Sequence, residues 1–238
     1  MLLFLHGYSG SPYDFADVPQ LLAKKLGMPA RVPVLAGHDK GVWKLRRTSL
    51  RQMTESVVDA MSAFPEPPVL IGNSLGAHLG LLAAAERPAR AVICVSAPQK
   101  INPPWESWWI RYGSALFLHS ARKRGPAPPA QRVFKRIPGN AMIRVYQARQ
   151  AVGAMARRVK CPVLCLGPRD EFLIAPDAHI KLAALLPDAE VGDIPPNPLH
   201  APFYPPVQQE VVRKILIFLQ NRGVVRADLY SLGFKPRH

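Results

Sequence analysis

The stretch Leu70-Ile-Gly-Asn-Ser-Leu-Gly-Ala-His-Leu-Gly80 sets Ser74 between Gly72 and Gly76. Glycines on both sides weaken a helix start, so something other than helix stability must require them. A Gly-x-Ser-x-Gly turn between a strand and a helix does. It is so tight that bulk at either glycine collides with its neighbours, and it lifts the serine hydroxyl to the helix N-terminus. There the helix dipole and unsatisfied N–H groups favour a developing negative charge. The chemistry this suits is nucleophilic attack on an acyl carbon. Serine is a weak nucleophile at neutral pH and needs a base. Read without that chemistry, the stretch is a Gly-rich turn with a serine N-cap.

A second signal lies at the start of the chain, where the apolar run Leu2–Leu5 leads into His6-Gly7-Tyr8-Ser9-Gly10. Such a loop can turn its backbone N–H groups toward a neighbouring strand end. The N–H groups of Tyr8 and Leu75 are the candidate oxyanion hole. This turn predicts the chain order serine, acid, histidine. Asp170, in Leu166-Gly-Pro-Arg-Asp-Glu171, is the candidate acid, with Glu171 as its rival. His200, in Pro195-Pro-Asn-Pro-Leu-His200, is the candidate base. Both follow expected strands, at the C-terminal sheet edge where open α/β sheets gather ligands. Three other histidines are set aside. His78 reads as a packed helix residue and His6 as a support for the first loop. His38 either lines the rim or bonds its own loop. Asp193 sits near His200 in sequence, which is not the geometry such an acid needs.

The elements that must position these residues follow from hydrophobic patterning. Strands are expected at Leu2–Leu5, Ala30–Leu35, Pro68–Ile71, Ala91–Val95, Pro162–Leu166 and Glu190–Ile194. Helices are expected at Phe15–Leu26, Leu50–Phe64, Ser74–Arg87, Pro176–Leu186 and Val207–Leu219. Wholly apolar strands alternating with helices indicate a parallel sheet covered on both faces. Six strands would take the order 2-1-3-4-5-6. The switch point then falls between the strands that carry Tyr8 and Ser74.

One stretch, about Ile101 to Met155, breaks the alternation and shows no strand. It opens with Asn102 as an N-cap and Pro103 as first helical residue. Trp105, Trp108, Trp109 and Tyr112 then share one helical face. As a lid, this face would pack over the site and bury an acyl chain. The basic cluster Arg122-Lys123-Arg124 would suit weak contact with an anionic lipid surface. Packing over the site is the favoured role.

Taken together, the residues resemble an α/β-hydrolase of the bacterial carboxylesterase and monoacylglycerol lipase branch. The resemblance rests on the His6–Gly10 loop, Gly37-His38, the Gly72–Gly76 elbow, Arg169-Asp170-Glu171 and His200, and covers essentially 1–220. It implies an α/β fold with a parallel sheet flanked by helices, here expected to be truncated to six strands, because the family's first two strands are missing. It further implies a helical lid between the fourth and fifth strands, a Ser74–His200–Asp170 triad, and no cofactor. The expected organisation is a hydrolase core over 1–100 and 156–222, a lid over 101–155 and a basic tail over 223–238. Here Asp39 stands where the family often has a second glycine, and Leu199 where a small residue usually precedes the histidine.

Composition bounds the rest. The 238 residues are 48% hydrophobic, enough for one α/β domain. Lys and Arg number 31 against 16 Asp and Glu, a net charge of +15 that favours anionic surfaces or substrates. No nucleic-acid-binding motif accompanies it. The three cysteines Cys94, Cys161 and Cys165 suit core packing in a reducing compartment, not a metal site. No run approaches the ~20 apolar residues of a membrane span, and no signal peptide is evident. The expectation is a cytoplasmic enzyme, monomer or dimer, cleaving a small-molecule ester. Thioesterase, lactonase and peptidase chemistry, or a non-catalytic lipid-binding role, are the alternatives.

Overall fold

A computed structural model of the chain describes residues 1–39, 41–102, 121–122, 136–137, 141–171, 173–197 and 199–225. Six strands make one parallel sheet: β1 (Leu2–Leu5), β2 (Ala30–Arg31), β3 (Val69–Asn73), β4 (Ala91–Val95), β7 (Val163–Pro168) and β8 (Ala189–Ile194). Their spatial order is β2-β1-β3-β4-β7-β8. This is the expected 2-1-3-4-5-6 order, with the switch point between β1 and β3. Two-residue strands β5 (Ala121–Arg122) and β6 (Arg136–Ile137) pair antiparallel outside the sheet. They interrupt a stretch in which no strand is expected from the sequence.

Strand alternation sends side chains to two cores. Leu3, Leu5, Leu70, Val92, Cys94, Val163 and Cys165 face one layer. That layer comprises α3 (Leu50–Ser62), α4 (Leu75–Glu86), α5 (Ala141–Met155) and α6 (Ala178–Ala183). Leu2, Phe4, Val69, Ile71, Ile93, Val95, Leu164 and Leu166 face the other, built on α1 (Val18–Leu26) and α7 (Gln208–Asn221). The helix α4 is buried from Leu75 to Ala84 without a polar face, as expected of a helix covered on all sides. Within the expected lid stretch, α5 buries Val145, Ala148 and Val152, the last two in the α4 core.

The cysteines pack as the sequence suggests: all three are free and buried. Cys94 and Cys165 sit in register on β4 and β7, and burial pushes the Cys161 thiol up to about 11. A short helix, α2 (Gly41–Arg47), was not expected. The expected second strand shrinks to Ala30–Arg31, because Pro33 cannot donate to a ladder. The helix α3 starts on a capping box, in which the Gln52 N–H donates to Ser49 Oγ at 3.1 Å and the Ser49 N–H donates to Gln52 Oε1 at 2.8 Å.

Candidate active site

Ser74 is the N-cap of α4, with φ 54° and ψ −121°. A non-glycine residue holds this region only when its surroundings impose it, and here they do. The Ser74 N–H donates to the Val95 carbonyl at 2.9 Å, and the Ser74 carbonyl accepts from the Ala77 N–H at 3.0 Å. A Cβ on Gly76 would be driven into the Leu5 carbonyl oxygen, and one on Gly72 into the Ala77 backbone. The two glycines therefore let α4 turn directly off β3 and lie against the end of β1. Leu75 opens the helix, and its first turn carries no acidic side chain to offset the positive end of the dipole.

The loop after β1 passes beside this serine. Leu5 pairs with Gly72 across the strands, and a Cβ on Gly7 would lie 3.3 Å from Ser74 Cβ and 3.8 Å from its Oγ. The Gly10 N–H donates to the Gly7 carbonyl at 3.0 Å and closes a turn with Tyr8 and Ser9 at its centre. His6 is buried beneath it. Its Nε2 accepts from the Leu35 N–H at 3.2 Å, so Nδ1 carries the proton and donates to the Gly7 carbonyl at 3.0 Å. His6 is thus a strut between two loops. His38, edge-on to His6 at 4.7 Å, uses Nδ1 on its own loop, with the Ala36 carbonyl at 3.1 Å. Burial pushes the Tyr8 phenol up to about 12, with Arg144 and Arg46 opposing, so it stays neutral.

The acid that meets His200 is Glu171, not Asp170. His200 Nδ1 lies 2.6 Å from Glu171 Oε1, and the glutamate side chain is fully buried. Asp170 is exposed, and its carbonyl accepts from the Asn197 N–H at 3.1 Å. The strand β7 runs to Pro168, two residues beyond the expected end. The turn therefore puts Arg169 and Asp170 outside and brings Glu171 inward. Asp193 is engaged elsewhere: it pairs with Arg169 at 2.6 Å and with His179 Nε2 at 3.2 Å. The Arg169 guanidinium holds its carboxyl below the usual range.

His200 stands in a turn with φ 52°. Asn197, which sequence reasoning did not single out, organises that turn. Its carbonyl accepts from the His200 N–H at 3.0 Å, and its Oδ1 accepts from the Ala201 N–H at 2.8 Å. The signal was present, since Asn among prolines commonly bonds the backbone ahead of it. Leu199 points its bulk to solvent. Beyond the turn, Phe203 packs on Phe15 at 4.7 Å, and the Tyr204 hydroxyl donates to the Tyr13 carbonyl at 2.6 Å. The β8 end of the sheet is thereby tied back to the segment after β1. With Nδ1 directed at Glu171, Nε2 is left to take a proton; it is buried and has no hydrogen-bond partner among the described residues.

Trp105, Trp108, Trp109 and Tyr112 lie outside the described residues, as do Lys123 and Arg124. Among the described residues, no three His, Cys, Asp or Glu side chains are grouped to hold a metal ion, and no helix is long and apolar enough to cross a membrane.

A parallel sheet with a strained serine after β3 and a histidine–carboxylate pair after β7 and β8 is the plan of a hydrolase fold. Residues 2–214 match the alpha/beta hydrolase family, and the chain belongs to it. No curated protein matches the chain in sequence. Among solved structures it is similar to one described as LipS and LipT, metagenome-derived lipolytic enzymes (18% identity, 92% of this chain and 93% of that one, TM-score 0.78). It is also similar to a Paleococcus ferrophilus monoacylglycerol lipase (20%, 93% and 94%, TM-score 0.72). A soluble variant of Saccharomyces cerevisiae monoglyceride lipase is a third (13%, 93% and 86%, TM-score 0.72). At these identities the likeness is one of fold.

Proposed function

We propose that the protein hydrolyses carboxylic esters through Ser74, His200 and Glu171. The observation that carries this reading is the 2.6 Å contact between His200 Nδ1 and a fully buried Glu171 carboxylate. It fixes the imidazole tautomer and leaves Nε2 as the proton acceptor. In the reaction, Ser74 Oγ attacks the ester carbonyl while His200 Nε2 takes its proton. The carbonyl oxygen becomes an oxyanion held by the N–H groups of Tyr8 and Leu75. Loss of one such donor typically costs about 100- to 1000-fold in rate. His200 then protonates the leaving alcohol. Water, deprotonated by the same nitrogen, attacks the acyl-enzyme and releases the acid and Ser74. Glu171 orients the imidazole and stabilises the imidazolium formed twice per cycle.

The lipolytic and monoacylglycerol lipase names of the structural neighbours favour an oxygen ester with an apolar acyl chain. The aromatic residues Trp105, Trp108, Trp109 and Tyr112 are our candidates for the part of the chain that holds it. The few, unpaired cysteines favour a reducing compartment. A series of p-nitrophenyl acyl esters of increasing length, with Ser74→Ala as the blank, tests the reading. Turnover by the wild type and none above background by Ser74→Ala is expected. Equal rates for the two proteins would overturn it.

A further inference from the structure

Glu171 lies outside regular structure, yet its carboxylate is held at 2.6 Å from a histidine. Something must fix its backbone. The His200 turn holds one side, through the bond from the Asn197 N–H to the Asp170 carbonyl. The other side is held by the segment leaving β4. Asn102 Nδ2 lies 2.7 Å from the Glu171 carbonyl oxygen and 3.2 Å from that of Ile174. Both partners are acceptors, so the amide nitrogen must face them, and its two protons serve one carbonyl each. Around this side chain runs a short antiparallel clamp. The Asn102 N–H donates to the Leu173 carbonyl at 2.9 Å, and the Ala175 N–H donates to the Lys100 carbonyl at 3.0 Å. Ile101 bridges Ile174, and Lys100 pairs with Asp177 at 3.1 Å. Among the described residues of this clamp, the side chain that reaches the Glu171 backbone is that of Asn102.

We infer that Asn102 is a positioning residue for the acid. It holds the Glu171 backbone so that the carboxylate meets His200 Nδ1, an inference that rests on the reading of Ser74, His200 and Glu171 given above. A clamp that served only to close the β4–β7 connection would have its backbone bonds and its ion pair, and would need no side-chain donors on the acid's own carbonyl. Asn102→Asp is isosteric and cannot donate there.

The test is a double-mutant cycle read by the rate at which a small fluorophosphonate labels the protein. Asn102→Asp is expected to slow labelling by about 10- to 100-fold, the usual effect of a displaced catalytic group. KM for a short p-nitrophenyl ester should change little while kcat falls. In a Glu171→Gln background the same substitution should change the already slow rate by less than about 2-fold, because it acts through the acid. If the aspartate variant fails to fold, Asn102→Ser, which leaves the clamp's backbone bonds in place, carries the same cycle. Wild-type rates for the variant, or an equal factor in both backgrounds, would overturn the inference and leave the reading of Ser74 intact. A wild-type protein that does not label would overturn that reading, and this inference with it.

Discussion

Asp170 and Glu171 are adjacent carboxylates in opposite surroundings: the first is exposed, the second buried against His200. A buried carboxylate costs several kcal/mol in desolvation unless it is paired, so the imidazole is as necessary to Glu171 as Glu171 is to it. Glu171→Gln should therefore lower kcat by roughly 10,000-fold, the scale seen when such an orienting acid becomes an amide. Asp170→Asn should stay within a few-fold of wild type. Steady-state kinetics on one short ester decides between them, and the opposite pattern would restore Asp170 as the acid. From sequence the two are one residue apart, and strand alternation alone does not say where a strand stops. The continuation of β7 to Pro168 is a property of its pairing with β8, which register reveals and composition does not.

At the scale of elements, the approach of α4 to the end of β1 builds the site, and glycine permits it. Gly76→Ala would press a methyl group into the Leu5 carbonyl oxygen. It should cost about 1–3 kcal/mol or more, read as a lower Tm together with lost labelling of Ser74. For Gly80→Ala the nearest atoms are side-chain carbons, Leu5 Cδ1 at 3.3 Å, Val92 Cγ1 at 3.6 Å and Leu70 Cβ at 3.8 Å. Its gain in helix propensity, about 1 kcal/mol, should offset the crowding and leave Tm nearly unchanged. Equal losses for the two variants would contradict this account of the elbow. These elements were legible because their signals are local: an apolar run, a glycine pair, a proline stop. The strand Ala91–Val95 and the order of the whole sheet emerge as expected. What was not legible depends on partners distant in sequence. The seven-residue α2 has too little pattern to stand out. The two-residue β2 is set by how much of its edge finds β1. Asn102 reads as a helix cap, yet its amide nitrogen bonds carbonyls about seventy residues further on.

The whole molecule carries a net charge of +15 and a histidine buried at its centre. Burial lowers the pKa of His78 to about 4, with Gln99 opposing and Arg149 adding to the effect. The unfolded chain, with the ordinary value near 6.5, binds this proton more readily than the fold does. Stability is therefore lost as pH falls from about 6.5 toward 4, by about 2 kcal/mol between pH 7 and pH 5. His78→Gln should flatten that part of a Tm–pH curve, and an unchanged slope would show that His78 is not its source. The proposed function, in contrast, turns on one oxygen atom, that of Ser74 where β3 meets the loop after β1. The most direct measurement is the site of covalent modification by a fluorophosphonate, located by peptide mass spectrometry. A single adduct on the peptide containing Ser74, absent in Ser74→Ala, is the expected result. An adduct on Ser9 or Ser96, or none at all, would contradict the assignment of Ser74 as the nucleophile.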